Sequence, residues 1–210
     1  MRVSSINDVK VYAVNTSKTL PEWITDKKKR KLLKSDPELR GRVNLIQDFE
    51  FPTAATNINI TEDGNYILAT GVYKPRINCY ETDQLSLKFS RHLSADVVKL
   101  CMLVEDYRKL ALLGSDRTIE VHAAYGSHYK TRIPRFGRDL CYNFENCDLF
   151  SVASGPEIYR LNLDEGIFKQ PYKGSSPEFN NCTLNQLYSF LAAGGTDGFV
   201  ELWDPRTADQ

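Results

Sequence analysis

The sequence FLAAGGTDGFVELWDPR, at Phe190–Arg206, has the pattern of two β-strands joined by a tight turn. An apolar run stops at two glycines, the chain turns through Thr196–Gly198, and a second strand-like run ends in Trp203. A single hairpin of this kind cannot bury both of its faces. The pattern therefore predicts that similar hairpins recur elsewhere in the chain.

Three weaker copies of this hairpin precede it. Each ends in a large residue at the position of Trp203, and these residues are Tyr80, His122 and Leu161. The four large residues are separated by 42, 39 and 42 positions, close to the roughly 40 to 45 residues of a four-stranded WD-repeat blade. A strand-like segment also precedes each copy. A β-sandwich is the alternative, but its strands need no fixed period, so the spacing favours an all-β, WD40-type β-propeller.

The predicted organisation has three parts. Residues 47–210 contain about four blades of a partial propeller, and residues 20–46 contain a basic insertion of helical character. Residues 1–19 contain one strand, Val9–Val14, which resembles the outer strand of a blade but has no predicted partner before it. In a closed ring this orphan strand would complete a blade whose other strands come from the far end of the chain. We therefore expect the sequence to be the amino-terminal part of a longer protein.

Composition narrows the class of protein. The 210 residues are 41% apolar, with 27 basic and 27 acidic side chains, and no apolar run has the length of a membrane span or a signal peptide. We expect a soluble intracellular protein with its five cysteines reduced. The three histidines, His92, His122 and His128, have no sequence context of a catalytic or metal site. The sequence thus predicts no enzyme, no cofactor and no metal.

The first basic segment is LPEWITDKKKRKLLK at Leu20–Lys34, with six positive charges in the eight positions from Lys27 onward. Pro21 suits a first helical turn and Ser35–Pro37 marks a stop, so a helix is predicted, with a second short helix allowed over Pro37–Ile46. The segment is a nuclear import signal, an RNA-phosphate contact, both, or a solvated helix face. Its candidate contact residues are Trp23, Lys27, Lys28, Lys29, Arg30 and Lys31.

The second basic segment is YKTRIPRFGR at Tyr129–Arg138, where four cations surround two aromatic residues. Arginine and aromatic rings together suit phosphate pairing and base stacking. The alternative is a loop between blades whose arginines pair with neighbouring blades. A related patch, Tyr73–Arg76, is expected on the same face of the propeller. The candidate contact residues of the two patches are Lys74, Arg76, Lys130, Arg132, Arg135, Phe136 and Arg138.

Several stretches together carry a family resemblance. They are Pro21–Trp23 with the lysine run, Leu45–Glu50, Tyr66–Gly71 with Tyr73–Arg76, Gln84–Phe89, Tyr129–Asp139, Ile158–Leu163 and Trp203–Thr207. In these the chain closely resembles the nucleolar protein ten family, called essential nuclear protein two in yeast. The resemblance implies a WD-repeat component of the small-subunit processome, the nucleolar particle that processes the precursor of the small ribosomal subunit RNA. It also implies a longer chain, and it supplies no catalytic residues.

The expected function is that of a non-catalytic scaffold in pre-rRNA processing and ribosome biogenesis. Its expected partners are protein components of the small-subunit processome, with pre-rRNA or small nucleolar RNA as a further candidate, and neither a membrane nor a small-molecule substrate. The expected location is the nucleus and nucleolus. The alternative is a generic WD40 adaptor that binds a peptide in another nuclear or cytoplasmic complex, because propellers host many functions.

Overall fold

The structure is a computed structural model that describes residues 2–6, 9–13, 24–37, 44–45, 49, 51–82 and 86–206. The chain divides into two compact units, one of Met1–Glu50 with Gln84–Leu87 and one of Phe51–Asp83 with Lys88–Gln210. Among the described residues, no helix is long and apolar enough to cross a membrane. All of the described sheets are antiparallel.

The first unit contains a three-stranded sheet in the order β1 (Arg2–Ile6), β2 (Val9–Ala13) and β3 (Asn44–Leu45). The orphan strand of the sequence analysis therefore has a partner before it, because β1 pairs along its whole length with β2. The prediction missed β1 because its central residues are two serines, which hide an apolar alternation. The second short helix predicted over Pro37–Ile46 agrees with the structure at Pro37, which is helical. It is wrong at Asn44–Leu45, which pairs with β2, and residues 38–43 lie outside the described residues.

The same unit contains one described α-helix, α1 (Asp26–Ser35). It begins after Thr25 and ends before Asp36, whose N–H donates to the Leu32 carbonyl at 3.0 Å. Asp36 has an extended backbone, with φ −111° and ψ 113°, as the ring of a following proline requires. The helix therefore ends at the predicted stop, Ser35–Pro37. Pro21 and Trp23 lie outside the described residues.

The second unit consists of consecutive antiparallel sheets, or blades, in which neighbouring strands follow one another along the chain. Three blades have four strands and the last has three described strands. Blade 1 is β4 (Ala55–Ile60), β5 (Tyr66–Gly71), β6 (Arg76–Glu81) and β7 (Ser86–His92); blade 2 is β8 (Val97–Met102), β9 (Leu110–Gly114), β10 (Thr118–Ala123) and β11 (Gly126–Arg132); blade 3 is β12 (Gly137–Asn143), β13 (Asp148–Ala153), β14 (Glu157–Asn162) and β15 (Ile167–Lys173); blade 4 is β16 (Phe179–Asn185), β17 (Phe190–Gly195) and β18 (Val200–Trp203).

The first strands of successive blades, β4, β8, β12 and β16, contact one another, which is the arrangement of inner strands around a propeller axis. Apolar side chains fill the space between each pair of neighbouring blades. The four repeat positions, Tyr80, His122, Leu161 and Trp203, are all buried. The predicted propeller and its period are therefore confirmed, and the large residue of each repeat is a packed residue.

Candidate interaction surface

The loops of the second unit form two sets at opposite ends of the blades. At one end, the turn between the second and third strands of each blade hydrogen-bonds to the loops that connect blades. The bonds are Leu93 N–H to Pro75 O at 2.8 Å, Ser115 N–H to Asp96 O at 2.8 Å, Ile133 N–H to Arg117 O at 2.9 Å, Ser154 N–H to Phe136 O at 2.9 Å, and Thr196 N–H to Glu178 O at 3.0 Å. We call this end, formed by residues 72–75, 93–96, 115–117, 133–136, 154–156, 174–178 and 196–199, the upper face.

The turn of blade 1 on the upper face exposes an aromatic side chain and a cation. Tyr73 and Lys74 have φ angles of 58° and 64°, a region that costs energy for residues other than glycine. The Tyr73 side chain is 75% exposed, and Lys74 is also exposed. Arg76 begins β6 and is half-buried. The patch Tyr73–Arg76 therefore lies on the same face as the loop at residues 133–136.

Blade 2 repeats this arrangement with a residue that sequence reasoning missed. Arg117 has a φ of 67° and occupies the turn position that glycine holds in blade 4, where Gly198 has a φ of 88°. Its guanidinium donates to the Pro134 carbonyl at 3.2 Å and lies 5.4 Å from the ring centroid of Phe136, which is 61% exposed. The signal in the sequence is the replacement of Gly by Arg in the turn Ser115–Arg117.

The second basic segment is partly committed to contacts between and within blades. Arg138 donates from Nη2 to Glu178 Oε2 at 2.5 Å and from Nη1 to Asn180 Oδ1, which connects blade 3 to the loop and strand of blade 4. Arg135 donates to the Ser154 carbonyl at 3.1 Å and packs over Gly155, where an added Cβ would lie 2.8 Å from the Arg135 Cδ.

Lys130 is also held within the protein. Its Nζ donates to Glu120 Oε1 at 2.6 Å and to Ser94 Oγ at 2.8 Å. Burial raises the pKa of Glu120, but hydrogen bonds from Lys130, Ser94 and His122 outweigh it, so the pKa is lowered overall. Burial lowers the pKa of His122, although its bond to Glu120 acts in the opposite direction. The charge of Lys130 is therefore largely matched by a neighbouring carboxylate.

Two predicted contact residues of this segment stay accessible. Arg132 is exposed at the end of β11, and no hydrogen bond or ion pair holds its side chain within the described part of the chain. Phe136 presents its ring to solvent. The accessible predicted residues on or beside the upper face are therefore Lys74, Arg132 and Phe136. The structure adds the exposed Tyr73 and the half-buried Arg117, which lies beside Phe136.

The predicted residues of the first basic segment belong to the first unit. Lys27, Lys28, Arg30 and Lys31 lie on α1 and are exposed. Lys29 also lies on α1, with its side chain outside the description, and Trp23 lies outside the described residues. Among the described residues, no group of three or more histidine, cysteine or acidic side chains is placed to hold a metal ion.

The blades and the loops that connect them define a WD-repeat β-propeller. Solved structures agree on the fold: the WD40 repeats of RRP9 and the structure of U3-55K each align with a TM-score of 0.65 at 15% identity, over 75% of this chain and 50% of theirs. A family profile described as "Nucleolar protein 10-like, N-terminal domain" matches residues 2–210. The chain belongs to this family, as its sequence resemblance predicts.

Full-length relatives extend the comparison. The chain is 50% identical over 210 residues to Nucleolar protein 10 of Xenopus tropicalis, covering 100% of this chain and 31% of the relative, and 50% identical to that of Homo sapiens, covering 100% and 30%. It is 48% identical to Ribosome biogenesis protein ENP2 of Saccharomyces cerevisiae, covering 99% and 30%. The chain thus spans about a third of the length of these relatives. The relatives are nucleolar by name, and membership of this family places the chain in the nucleolus.

Proposed function

We propose that this propeller is a non-catalytic scaffold in ribosome biogenesis, acting within the small-subunit processome during pre-rRNA processing. The names of its relatives, Nucleolar protein 10 and Ribosome biogenesis protein ENP2, support the pathway. The observation that carries the binding role is on the upper face, where the Tyr73 ring is exposed and the exposed Phe136 ring lies beside the Arg117 guanidinium. Aromatic and arginine side chains are the residue types that most often anchor binding interfaces.

The geometry of the upper face explains how it would bind. Tyr73, Lys74 and Arg117 adopt left-handed backbone conformations that glycine would adopt without strain. Such strain persists where the side chain has a use, because a glycine would otherwise stabilise the turn. A ring beside a guanidinium can stack on a base or on the side chain of a protein segment. Hydrogen bonds between the turns and the loops that connect blades hold these loops in place, which lowers the ordering cost of binding.

The proposed mechanism involves positioning without bond chemistry. The upper face would hold protein segments and pre-rRNA in a fixed relation, with a few aromatic or arginine anchors supplying most of the affinity. Arg138 and Lys130 are not among these anchors, because both are committed to carboxylates of the propeller.

The test compares two exposed tyrosines at opposite ends of the blades. Tyr73 lies on the upper face and Tyr125 lies in the turn between β10 and β11 at the other end, and both are 75% exposed. We expect Tyr73→Ala combined with Phe136→Ala to reduce recovery of pre-rRNA and small-subunit assembly proteins with the full-length protein by several-fold. Tyr125→Ala should leave recovery unchanged. Equal recovery with both variants, or co-purification of unrelated partners only, would overturn the proposal.

A further inference from the structure

The cations of α1 form a row along one face of the helix. Lys27, Arg30, Lys31 and Lys34 are spaced i, i+3, i+4 and i+7, which places them above one another on a helix of 3.6 residues per turn. The row extends about 10 Å along the axis, because each residue rises about 1.5 Å. All four side chains are exposed, whereas Lys28 lies to the side of the row.

The described part of the chain supplies no carboxylate that neutralises this row. Within the described residues, no acidic side chain pairs with any of the four cations. Lys27 with Lys31 and Arg30 with Lys34 are like-charged pairs at i, i+4, which disfavour the helix. Six of the 27 basic residues of a chain with zero net charge lie in these eight positions. A polyanion that lies along the row would relieve this repulsion.

We propose that α1 binds the phosphate backbone of RNA through the row Lys27, Arg30, Lys31 and Lys34, without reading base sequence. RNA is favoured over an import receptor because the row depends on the helical conformation, whereas a basic import signal requires only the run of cations. The choice of RNA as the polyanion rests on the proposed function. The binding surface itself rests on the spacing, exposure and lack of acidic partners of these four residues.

The affinity of this row for RNA should depend on salt concentration in a predictable way. Each phosphate contact with single-stranded nucleic acid contributes about 0.7 to the slope of log affinity against log salt concentration, through release of counterions. Four contacts therefore contribute a slope of about three. Because phosphates carry no base identity, affinity for oligouridylate and oligoadenylate should fall together when the row is neutralised.

The first experiment measures binding of the 210-residue chain to single-stranded oligouridylate between roughly 50 and 200 mM salt. Changing Lys27, Arg30, Lys31 and Lys34 to Gln should lower the salt slope by about three and the affinity at low salt by roughly tenfold or more. The matched control, Lys28→Gln, removes an exposed charge of the same helix outside the row. It should leave the slope unchanged, whereas loss of one phosphate contact would lower the slope by about 0.7. An unchanged slope in the fourfold variant would overturn the proposal.

A second variant keeps composition and moves one charge. Lys31→Leu combined with Leu32→Lys retains the net charge and a run of basic residues, and both positions are exposed on α1. We expect RNA affinity to fall as far as in Lys31→Gln, while nuclear accumulation in cells is unchanged. Full RNA affinity in this variant would show that the position of the charge on the helix does not matter and would overturn the proposal. Particle recovery with the Tyr73 and Phe136 variant tests the proposed function separately, so either can fail alone.

Discussion

The two basic segments, Lys27–Lys34 and Tyr129–Arg138, are both rich in cations but differ in how the protein uses them. On α1 the described cations Lys27, Lys28, Arg30, Lys31 and Lys34 are exposed and lack acidic partners among the described residues. In the propeller, Lys130 and Arg138 donate to Glu120 and Glu178. The cause is geometric. The strands place Lys130 and Arg138 beside carboxylates of neighbouring strands and blades, whereas the i, i+3, i+4 and i+7 spacing on α1 places Lys27, Arg30, Lys31 and Lys34 beside one another.

This difference shows what a charge cluster in a sequence can and cannot indicate. In both segments the density of basic residues suggests contact with a polyanion. Only the three-dimensional neighbours decide whether that charge is available, since an ion pair with a carboxylate removes most of its attraction for phosphate. Four sets of substitutions test this difference through the free energy of unfolding, from the largest expected change to the smallest.

The largest effect is expected at Gly137 in the propeller segment. An added Cβ there would lie 2.6 Å from Leu113 Cδ1 and 3.0 Å from Ile133 Cδ1, inside the core between blades 2 and 3. We expect Gly137→Ala to lower the free energy of unfolding by about 1–3 kcal/mol through overpacking, measured by urea titration. Gly194→Ala is the control, since no atom lies within 4 Å of its added Cβ. Equal losses in both variants would contradict an overpacking effect.

The next effect compares two arginines of the same segment. Arg138 joins blade 3 to blade 4 through Glu178 and Asn180, and the two side chains of the ion pair are partly exposed, at 34% and 40%. We expect Arg138→Ala to lower the free energy of unfolding, measured by urea titration, by about 1 kcal/mol, the upper end of the range for a partly exposed ion pair. Arg132→Ala should change stability by less than about 0.5 kcal/mol, as is usual for an exposed residue. A larger loss from Arg132→Ala than from Arg138→Ala would reverse the assignment of the two roles.

A smaller effect depends on pH and concerns Lys130. The pKa of Glu120 is lowered from 4.5 in the folded protein, so its ionised form contributes stability above that pH and loses it as the pH falls through the folded pKa. We expect Lys130→Gln to cost about 0.5 kcal/mol at pH 7. The difference in free energy of unfolding between Lys130→Gln and the parent chain should vanish as the pH falls well below 4.5. Lys74→Gln, which changes an exposed cation of a turn, should show no such pH dependence in parallel urea titrations.

The fold was predictable from the sequence because each blade needs one large buried residue at the same place. Trp203 identifies that place, and the spacing then locates Tyr80, His122 and Leu161, all of which are buried. The amino-terminal sheet was less predictable, since β1 has two central serines and β3 has two residues. Such short or polar strands form because they pair with a neighbouring strand. The alternation of apolar and polar residues in the sequence does not reveal that pairing.

The interaction surface was predictable in part. Phe136 and Lys74 are in solvent-facing loops, as their proline- and glycine-rich surroundings indicate. The sequence could not show that Arg138 meets Glu178, because these residues are 40 positions apart and meet only when neighbouring blades pack. Arg117 was missed for a related reason. Its importance follows from its φ of 67° and its position over Phe136, which are visible only in three dimensions.

The smallest effect is expected for the row on α1, and it is the sharpest test of the comparison. Because Lys27, Arg30, Lys31 and Lys34 are exposed and make no ion pairs among the described residues, changing all four to Gln should alter the free energy of unfolding by less than about 0.5 kcal/mol. Relief of two like-charged i, i+4 pairs should make the change favourable, if it is measurable at all. Urea titration at low and high salt checks this, since salt should erase a gain of electrostatic origin. A loss of more than about 1 kcal/mol would mean that these cations have partners that stabilise the fold. The row would then resemble Lys130 and Arg138 and would have little charge left for a phosphate backbone.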